Sequence, residues 1–141
     1  ESPRTEDLTP ADLRGSGTVL VVDDEEMIRK YTKSALEPYG YKVLLAEGCQ
    51  KALQLLANEA GDIGLVLLDV AMPGIDGLQT LERIREMRPA VPVLISSGFG
   101  DVDVEARFKG KDIAGFFPKP FTAKQLARKV KEWMPPTGGG S

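Results

Sequence analysis

The sequence predicts an α/β fold in which five parallel strands form one sheet with helices on both faces. Five short apolar runs alternate with segments whose apolar residues recur at helical spacing. Strands that alternate with helices form right-handed βαβ units and therefore a parallel sheet. A chain of 141 residues has room for one core. Five strands in so short a chain favour a flavodoxin-like (βα)5 doubly wound sheet with strand order 2-1-3-4-5.

Each element follows from a local pattern. The predicted strands are, in chain order, Thr18–Val22, Lys42–Leu45, Leu65–Leu68, Val93–Ile95 and Gly115–Phe117. Four helical faces lie between or after them, formed by Ile28, Tyr31 and Ala35; by Cys49, Ala52, Leu53, Leu56 and Ala60; by Leu78, Leu81 and Ile84; and by Leu126, Val130 and Trp133. The segment Asp101–Lys109 is a weaker helix pattern with acidic residues in its first turn. Pro118 agrees with this topology, because proline belongs at a strand end or on an edge, and the fifth strand is an edge.

The ends of the chain differ in composition from the middle. Residues 1–17 mix prolines, glycines and charges without sustained periodicity, which is typical of a linker or tail. The last residues, 135–141, indicate a flexible tail or the remnant of an expression vector. We therefore expect the folded domain to span residues 18–134.

Composition excludes several classes of function. The chain has no histidine, which removes Ser-His-Asp and Cys-His catalysis and histidine-based metal sites. Its single cysteine, Cys49, excludes an internal disulfide and fits a reducing cytoplasm. A net charge of −3 without a basic stripe argues against direct nucleic-acid binding. No apolar run approaches the ~20 residues of a membrane-spanning helix, so we expect no membrane contact by this domain.

Polar side chains gather where the predicted strands end. In open α/β sheets, chemistry lies beyond the carboxyl ends of the strands. The residues that reach this edge are Asp23 and Asp24 after strand 1, Asp69 after strand 3, Ser96 and Ser97 after strand 4, and Lys119 after strand 5. Each has an ordinary alternative as a helix cap, a turn residue, a loop start or a solvated charge. Their convergence on one edge from distant segments favours a functional site.

The residue types at this edge suit phosphoryl transfer. A cluster of acids fits Mg²⁺, which takes oxygen ligands. With the ion bound, Asp69 can act as a nucleophile towards phosphorus and form an aspartyl phosphate. The ammonium of Lys119 and the hydroxyl of Ser97 can neutralise or bind the remaining phosphoryl oxygens.

Four motifs together resemble the receiver domain of two-component response regulators. They are VLVVDDEE, LVLLDVAMPGIDGLQTL, PVLISSG and GFFPKPF, in this order, and the likeness covers residues 18–134. The resemblance implies that Asp69 is the phospho-acceptor and that Asp24, Asp69 and the backbone carbonyl of Ala71 bind Mg²⁺ directly, with Asp23 acting through water. It further implies catalytic roles for Ser97 and Lys119, and a conformational switch formed by Ser97 and Phe116.

The resemblance also implies partners. The lead-in LRGSGTVLVVDDE and the stretch SSGFG are most similar to receivers appended to hybrid sensor histidine kinases. The phosphoryl donor would be the phosphohistidine of a histidine kinase or of a phosphotransfer domain. The face formed by Asp101–Lys109, the fifth strand and the last helix would alter on phosphorylation, and is a candidate dimerisation surface. Such a domain catalyses its own phosphorylation and dephosphorylation and acts on no external substrate.

Two alternatives stay open at this point. A degenerate receiver would serve only as a docking scaffold, but such domains usually lack an acid or the lysine, and here none is missing. A haloacid-dehalogenase-type phosphatase would need a second acid two residues after its nucleophile, where this chain has Ala71. Nucleotide binders are disfavoured because both glycine-rich phosphate-binding motifs are absent.

Overall fold

The computed structural model describes residues 13–58, 63–69, 77–97, 110, 113–118 and 121–133. One parallel sheet runs through them, in the order β2-β1-β3-β4-β5. This order confirms the predicted topology and the edge position of the strand that ends at Pro118. The strands are β1 (Thr18–Val22), β2 (Lys42–Ala46), β3 (Ile63–Asp69), β4 (Val93–Ser97) and β5 (Gly115–Pro118).

Helices cover both faces of the sheet. They are α1 (Glu26–Leu36), which continues into a short 3₁₀ turn (Glu37–Tyr39), α2 (Cys49–Asn58), α3 (Gly77–Met87) and α4 (Ala123–Trp133). The predicted helix over Asp101–Lys109 lies outside the described residues. Within the described ranges, no helix combines the length and the apolar character that crossing a membrane requires.

The core consists of two layers, one on each face of the sheet. Successive side chains of a strand point to opposite faces, so β1 contributes Leu20 and Val22 to the layer under α2 and α3, and Val19 and Val21 to the layer under α1 and α4. All five residues of β1 are buried. Burial on both faces explains why the central strands are continuous apolar runs rather than alternating ones.

Two aromatic residues assigned to inner helix faces are largely exposed. Tyr31 is 42% exposed and Trp133 is 39% exposed, whereas the buried side of α1 consists of Thr32, Ala35 and Leu36. The Tyr31 ring lies 5.9 Å from that of Phe121, and its hydroxyl donates to the Phe121 carbonyl over 3.3 Å. A tyrosine can pack one side of its ring and keep its polar tip in water, which explains its position at the rim of the helix face.

A capping box defines the start of α4. The backbone N–H of Gln125 donates to Oγ1 of Thr122 over 3.0 Å, and the Thr122 N–H donates to Oε1 of Gln125 over 2.9 Å. These two bonds satisfy donors that have no partner inside the helix. α4 therefore begins at Ala123, a few residues after the end of β5. Its first turn accordingly lies near the carboxyl edge of the sheet.

The segment before β1 packs against the domain, although its composition is that of a tail. The Leu13 side chain is 1% exposed and belongs to the core layer under α1 and α4. The carbonyl of Arg14 accepts a hydrogen bond from Nζ of Lys131 over 2.6 Å. The Gly15 N–H donates to the Tyr39 carbonyl over 2.8 Å. A Cβ at Gly15 would lie 2.6 Å from Cζ of Tyr41, so the close approach requires glycine.

Candidate acidic site at the carboxyl edge of the sheet

Three aspartates meet at the carboxyl ends of β1 and β3. One carboxylate oxygen from each of Asp23, Asp24 and Asp69 lies within 4.8 Å of the other two. Asp69 is the last residue of β3 and is 3% exposed, Asp23 follows β1 and is 2% exposed, and Asp24 is exposed to solvent. β1 and β3 are adjacent parallel strands, and this pairing brings together residues that are 45 positions apart or more. The acidic cluster predicted from the sequence is therefore present.

Local hydrogen bonds hold the first aspartate in place. Oδ1 of Asp23 accepts the backbone N–H of Glu25 over 2.9 Å, and the Asp23 N–H donates to the Ala46 carbonyl over 3.0 Å. Nη1 of Arg29 donates to the backbone carbonyl of Asp23 over 2.8 Å. The loop after β1 is thus tied to β2 and to the first turns of α1, and a guanidinium lies beside the acids.

The donor set fits a hard divalent cation. All three groups are carboxylates, which Mg²⁺ prefers to nitrogen or sulfur ligands. Oxygens on opposite sides of an octahedral Mg²⁺ are about 4.2 Å apart, at twice the usual bond length of about 2.1 Å. The three carboxylate oxygens lie within 4.8 Å of one another, a spacing at which two of them could bind one ion directly and the third through a water. Asp24 is the member of the three that is exposed to solvent.

The structure describes only part of the remaining predicted site. Ala71 and Lys119 lie outside the described residues. Ser97 is the last residue of β4, where its backbone pairs with Pro118. Phe116 pairs with Ile95, is half-buried, and packs against the core layer under α2 and α3.

Arg29 and Ser96 contact this region in ways that the sequence did not specify. Arg29 is the first basic residue after four acids. Its position near the start of α1 was the signal from which its contact with the end of β1 could have been predicted. Ser96 was one of two adjacent hydroxyls at the end of β4, and it pairs in register with Asp69. Strand alternation distinguishes the two serines, but only the parallel register identifies which neighbour each one has.

The fold and the site together define a doubly wound α/β domain with an acidic centre at its carboxyl edge. A family model described as the response regulator receiver domain matches residues 19–131. The chain belongs to this family. The match covers the three aspartates and the described strands and helices, except for Thr18 at the start of β1 and the last two residues of α4.

Relatives of several kinds share the domain. The chain is 40% identical over 124 residues to the sensor kinase CckA of Brucella abortus, a match that covers 87% of the chain and 13% of the kinase. It is 31% identical to sporulation initiation phosphotransferase F of Bacillus subtilis, over 83% of the chain and 93% of that protein.

Solved structures agree. A receiver domain from the hybrid histidine kinase CckA superimposes with a TM-score of 0.68 at 33% identity, covering 83% of this chain and 98% of that one. A receiver domain protein from Clostridium thermocellum gives a TM-score of 0.75 at 29% identity, covering 82% of this chain and 92% of that one. The likeness to hybrid-kinase receivers seen in the sequence is thus found again in known proteins.

Proposed function

We propose that Asp69 accepts a phosphoryl group from a phosphohistidine, with Mg²⁺ held by the acidic cluster. The observation that carries this proposal is the buried Asp69 carboxylate, with the carboxylate oxygens of Asp23 and Asp24 within 4.8 Å of it. Anionic groups so close together repel one another, and a divalent cation bound between them would relieve this repulsion. Asp69 is the member at the end of the central strand β3, where a nucleophile is rigidly positioned.

The transfer is a substitution at phosphorus. A carboxylate oxygen of Asp69 forms a bond to phosphorus while the P–N bond of the donor breaks. The imidazole leaves with the electron pair and is neutralised by a proton. When bound, Mg²⁺ offsets charge on the phosphoryl oxygens. Asp24, Asp69 and the carbonyl of Ala71 are the proposed direct ligands, and Asp23 acts through a water.

Two further side chains complete the proposed site. The Lys119 ammonium pairs with one phosphoryl oxygen, and the Ser97 hydroxyl donates to another. These assignments follow from the family motif, because the side chains of both residues lie outside the described part of the structure. Phosphoryl transfer depends mainly on such positioning and charge neutralisation.

The donor is a histidine on another domain or protein, because this chain contains none. Receiver domains interact with histidine kinases and phosphotransfer proteins, and the chain corresponds to only 13% of the sensor kinase that it resembles. We therefore propose that it works as the receiver part of such a cytoplasmic relay. The donor must cover the mouth of the site, and Met27, which follows the four acids in the first turn of α1, is 82% exposed. An apolar side chain of this exposure beside the acids is a suitable contact for the donor.

We propose that Ser97 and Phe116 couple phosphorylation to a change of surface. A phosphoryl group adds roughly −1.5 to −2 charge and strong acceptor oxygens. The Ser97 hydroxyl moves to meet it, and the half-buried Phe116 ring turns into the vacated space. The face formed by residues 101–109, β5 and α4 then binds a partner or a second copy of the domain. Ser97→Ala should still be phosphorylated, with a weaker NMR change around Phe116.

The decisive experiment uses acetyl phosphate as a small donor, with intact mass as the readout. The wild-type chain should gain one phosphoryl group in Mg²⁺ and none in excess EDTA. Asp69→Asn should gain none, whereas Glu82→Gln, at an exposed acid of α3, should behave as the wild type. An adduct that persists in Asp69→Asn would exclude Asp69 as the acceptor. A wild-type chain that gains no phosphoryl group from acetyl phosphate or from a phosphohistidine donor would instead indicate a docking scaffold.

A further inference from the structure

Ser96 has a buried hydroxyl next to the proposed phospho-acceptor. In the β3–β4 pairing it is the register partner of Asp69, so the two residues are neighbours on adjacent strands. Its side chain is 7% exposed, and its Oγ is inaccessible to solvent without a hydrogen-bond partner among the described residues. A buried hydroxyl without a partner is destabilising, and such a group normally binds an ordered water.

A small cavity adjoins this hydroxyl. Its volume is about 20 Å³, and it lies between the sheet and α1 at the carboxyl edge. The polar residues that line it are Asp23, Thr32, Asp69 and Ser96, and the rings of Phe117 and Phe121 form part of its apolar wall. A water requires roughly 10–15 Å³ of this kind of volume and two to four polar partners. The cavity therefore has space for one water and enough polar groups to bind it.

We propose that this cavity binds one water that joins Ser96 Oγ to the carboxylate of Asp69, so that Ser96 is a positioning residue for Asp69. The inference rests on the proposed phosphorylation of Asp69. Ser96 can donate to the water, and the water can donate to a carboxylate oxygen, which only accepts hydrogen bonds. One carboxylate oxygen of Asp69 accepts this hydrogen bond, which restrains rotation of the carboxylate and so orients its two oxygens towards the metal and phosphorus. The cavity lies on the face of the sheet that carries Val21, Leu67 and Phe117, whereas Phe116 packs on the opposite face.

The water itself is tested without any phosphorylation. A crystal structure of the metal-free wild-type domain at high resolution should contain a water within hydrogen-bond distance of both Ser96 Oγ and Asp69. In Ser96→Val, which has a methyl group in place of the hydroxyl and offers the water no hydrogen bond, this water should be missing. A wild-type cavity that is dry, or a direct hydrogen bond from Ser96 to Asp69 in place of the water, would overturn the proposal.

The positioning role is tested by kinetics with acetyl phosphate at saturating Mg²⁺. Ser96→Ala should lower kcat by about three- to tenfold, the effect of one hydrogen bond, and should leave KM nearly unchanged. Ser96→Thr keeps the hydroxyl and suits a strand, so it should restore most of the rate. Urea unfolding of each variant shows whether the domain is intact. Wild-type kcat in a folded Ser96→Ala protein would refute the positioning role. Failure of the wild-type chain to react at all would contradict the proposed function instead, and the crystallographic test would still stand.

Discussion

Nη1 of Arg29 donates a hydrogen bond of 2.8 Å to the backbone carbonyl of Asp23, which places a guanidinium beside three clustered carboxylates. The sequence VLVVDDEE contains four consecutive acids without a basic residue, and the first positive charge that follows, Arg29, lies in the first turn of α1. The first turn of α1 places the Arg29 guanidinium next to the end of β1. The guanidinium adds one positive charge from the protein at this edge, and the proposed Mg²⁺ would offset more of the negative charge.

Removal of this guanidinium should destabilise the domain. Arg29→Met keeps the apolar stem but loses the hydrogen bond to Asp23, so the free energy of unfolding in urea should fall by about 1–2 kcal/mol. Lys30→Met is the matched control, because Lys30 is an exposed neighbour whose ion pair with Glu26, at 3.3 Å, lies on the surface. That substitution should change stability by less than about 0.5 kcal/mol. Equal losses of unfolding free energy in the two variants would show that the hydrogen bond to Asp23 stabilises the domain no more than the exposed ion pair does.

Substitutions of the two aspartates after β1 should have different effects on Mg²⁺ affinity and on the stability of the domain. Asp24 is exposed, so Asp24→Asn should weaken Mg²⁺ binding at least roughly tenfold without lowering the stability of the metal-free domain. Asp23 is buried and accepts the Glu25 N–H, so Asp23→Ala should also destabilise the metal-free domain, by about 1 kcal/mol. NMR titration with Mg²⁺ and urea unfolding in EDTA measure the two quantities. Unaltered Mg²⁺ affinity in Asp24→Asn would remove this residue from the metal site.

Donor docking should depend on Met27, whereas reaction with a small donor should not. Met27→Glu places a charge at an apolar contact beside the acids, so phosphoryl transfer from a phosphohistidine protein should slow by roughly tenfold. The rate with acetyl phosphate should stay within about twofold of the wild type, because that donor needs no docking surface. Met87→Glu, at the end of α3 and also exposed, is the control for adding a charge to an exposed methionine. Equal slowing with both donors would place the effect of Met27 in the site itself.

Alkaline pH should destabilise the domain through Tyr41. Burial raises the pKa of the Tyr41 phenol above its ordinary value of 10.0. Above pH 10 the unfolded chain loses this proton while the folded domain retains it, so the folded state binds more protons. The free energy of unfolding should therefore fall as pH rises from about 10 towards the folded pKa. Near neutral pH, Tyr41 should cause no variation of this free energy with pH. Urea unfolding measured across this pH range should show that the free energy of unfolding falls less steeply with pH in Tyr41→Phe than in the wild type. An equal slope in the two proteins would exclude Tyr41 as the cause.

Local patterns were enough to predict the edge at which the site forms. The apolar runs before Asp23 and Asp69 are typical of buried strands, and the carboxyl ends of parallel strands share one edge. The position of Pro118 at the end of an edge strand followed from its missing N–H. These features depend on residues within a few positions of one another, and elementary backbone chemistry determines them.

The tertiary structure decided the contacts between segments that are distant in the sequence. Leu13 lies in a stretch without periodicity, yet it is buried, because in the assembled domain it belongs to the core layer formed with residues of α1 and α4. Tyr31 has helical spacing but lies at the rim, because Thr32 and Leu36 face the sheet. Ser96 and Asp69 are neighbours only through the register of β3 and β4. The sequence by itself thus determined which residues reach the acidic edge, since burial and strand direction are local properties. Which side chains touch there was decided by strand register and helix rotation, because these minimise the free energy of the whole core rather than of any one segment.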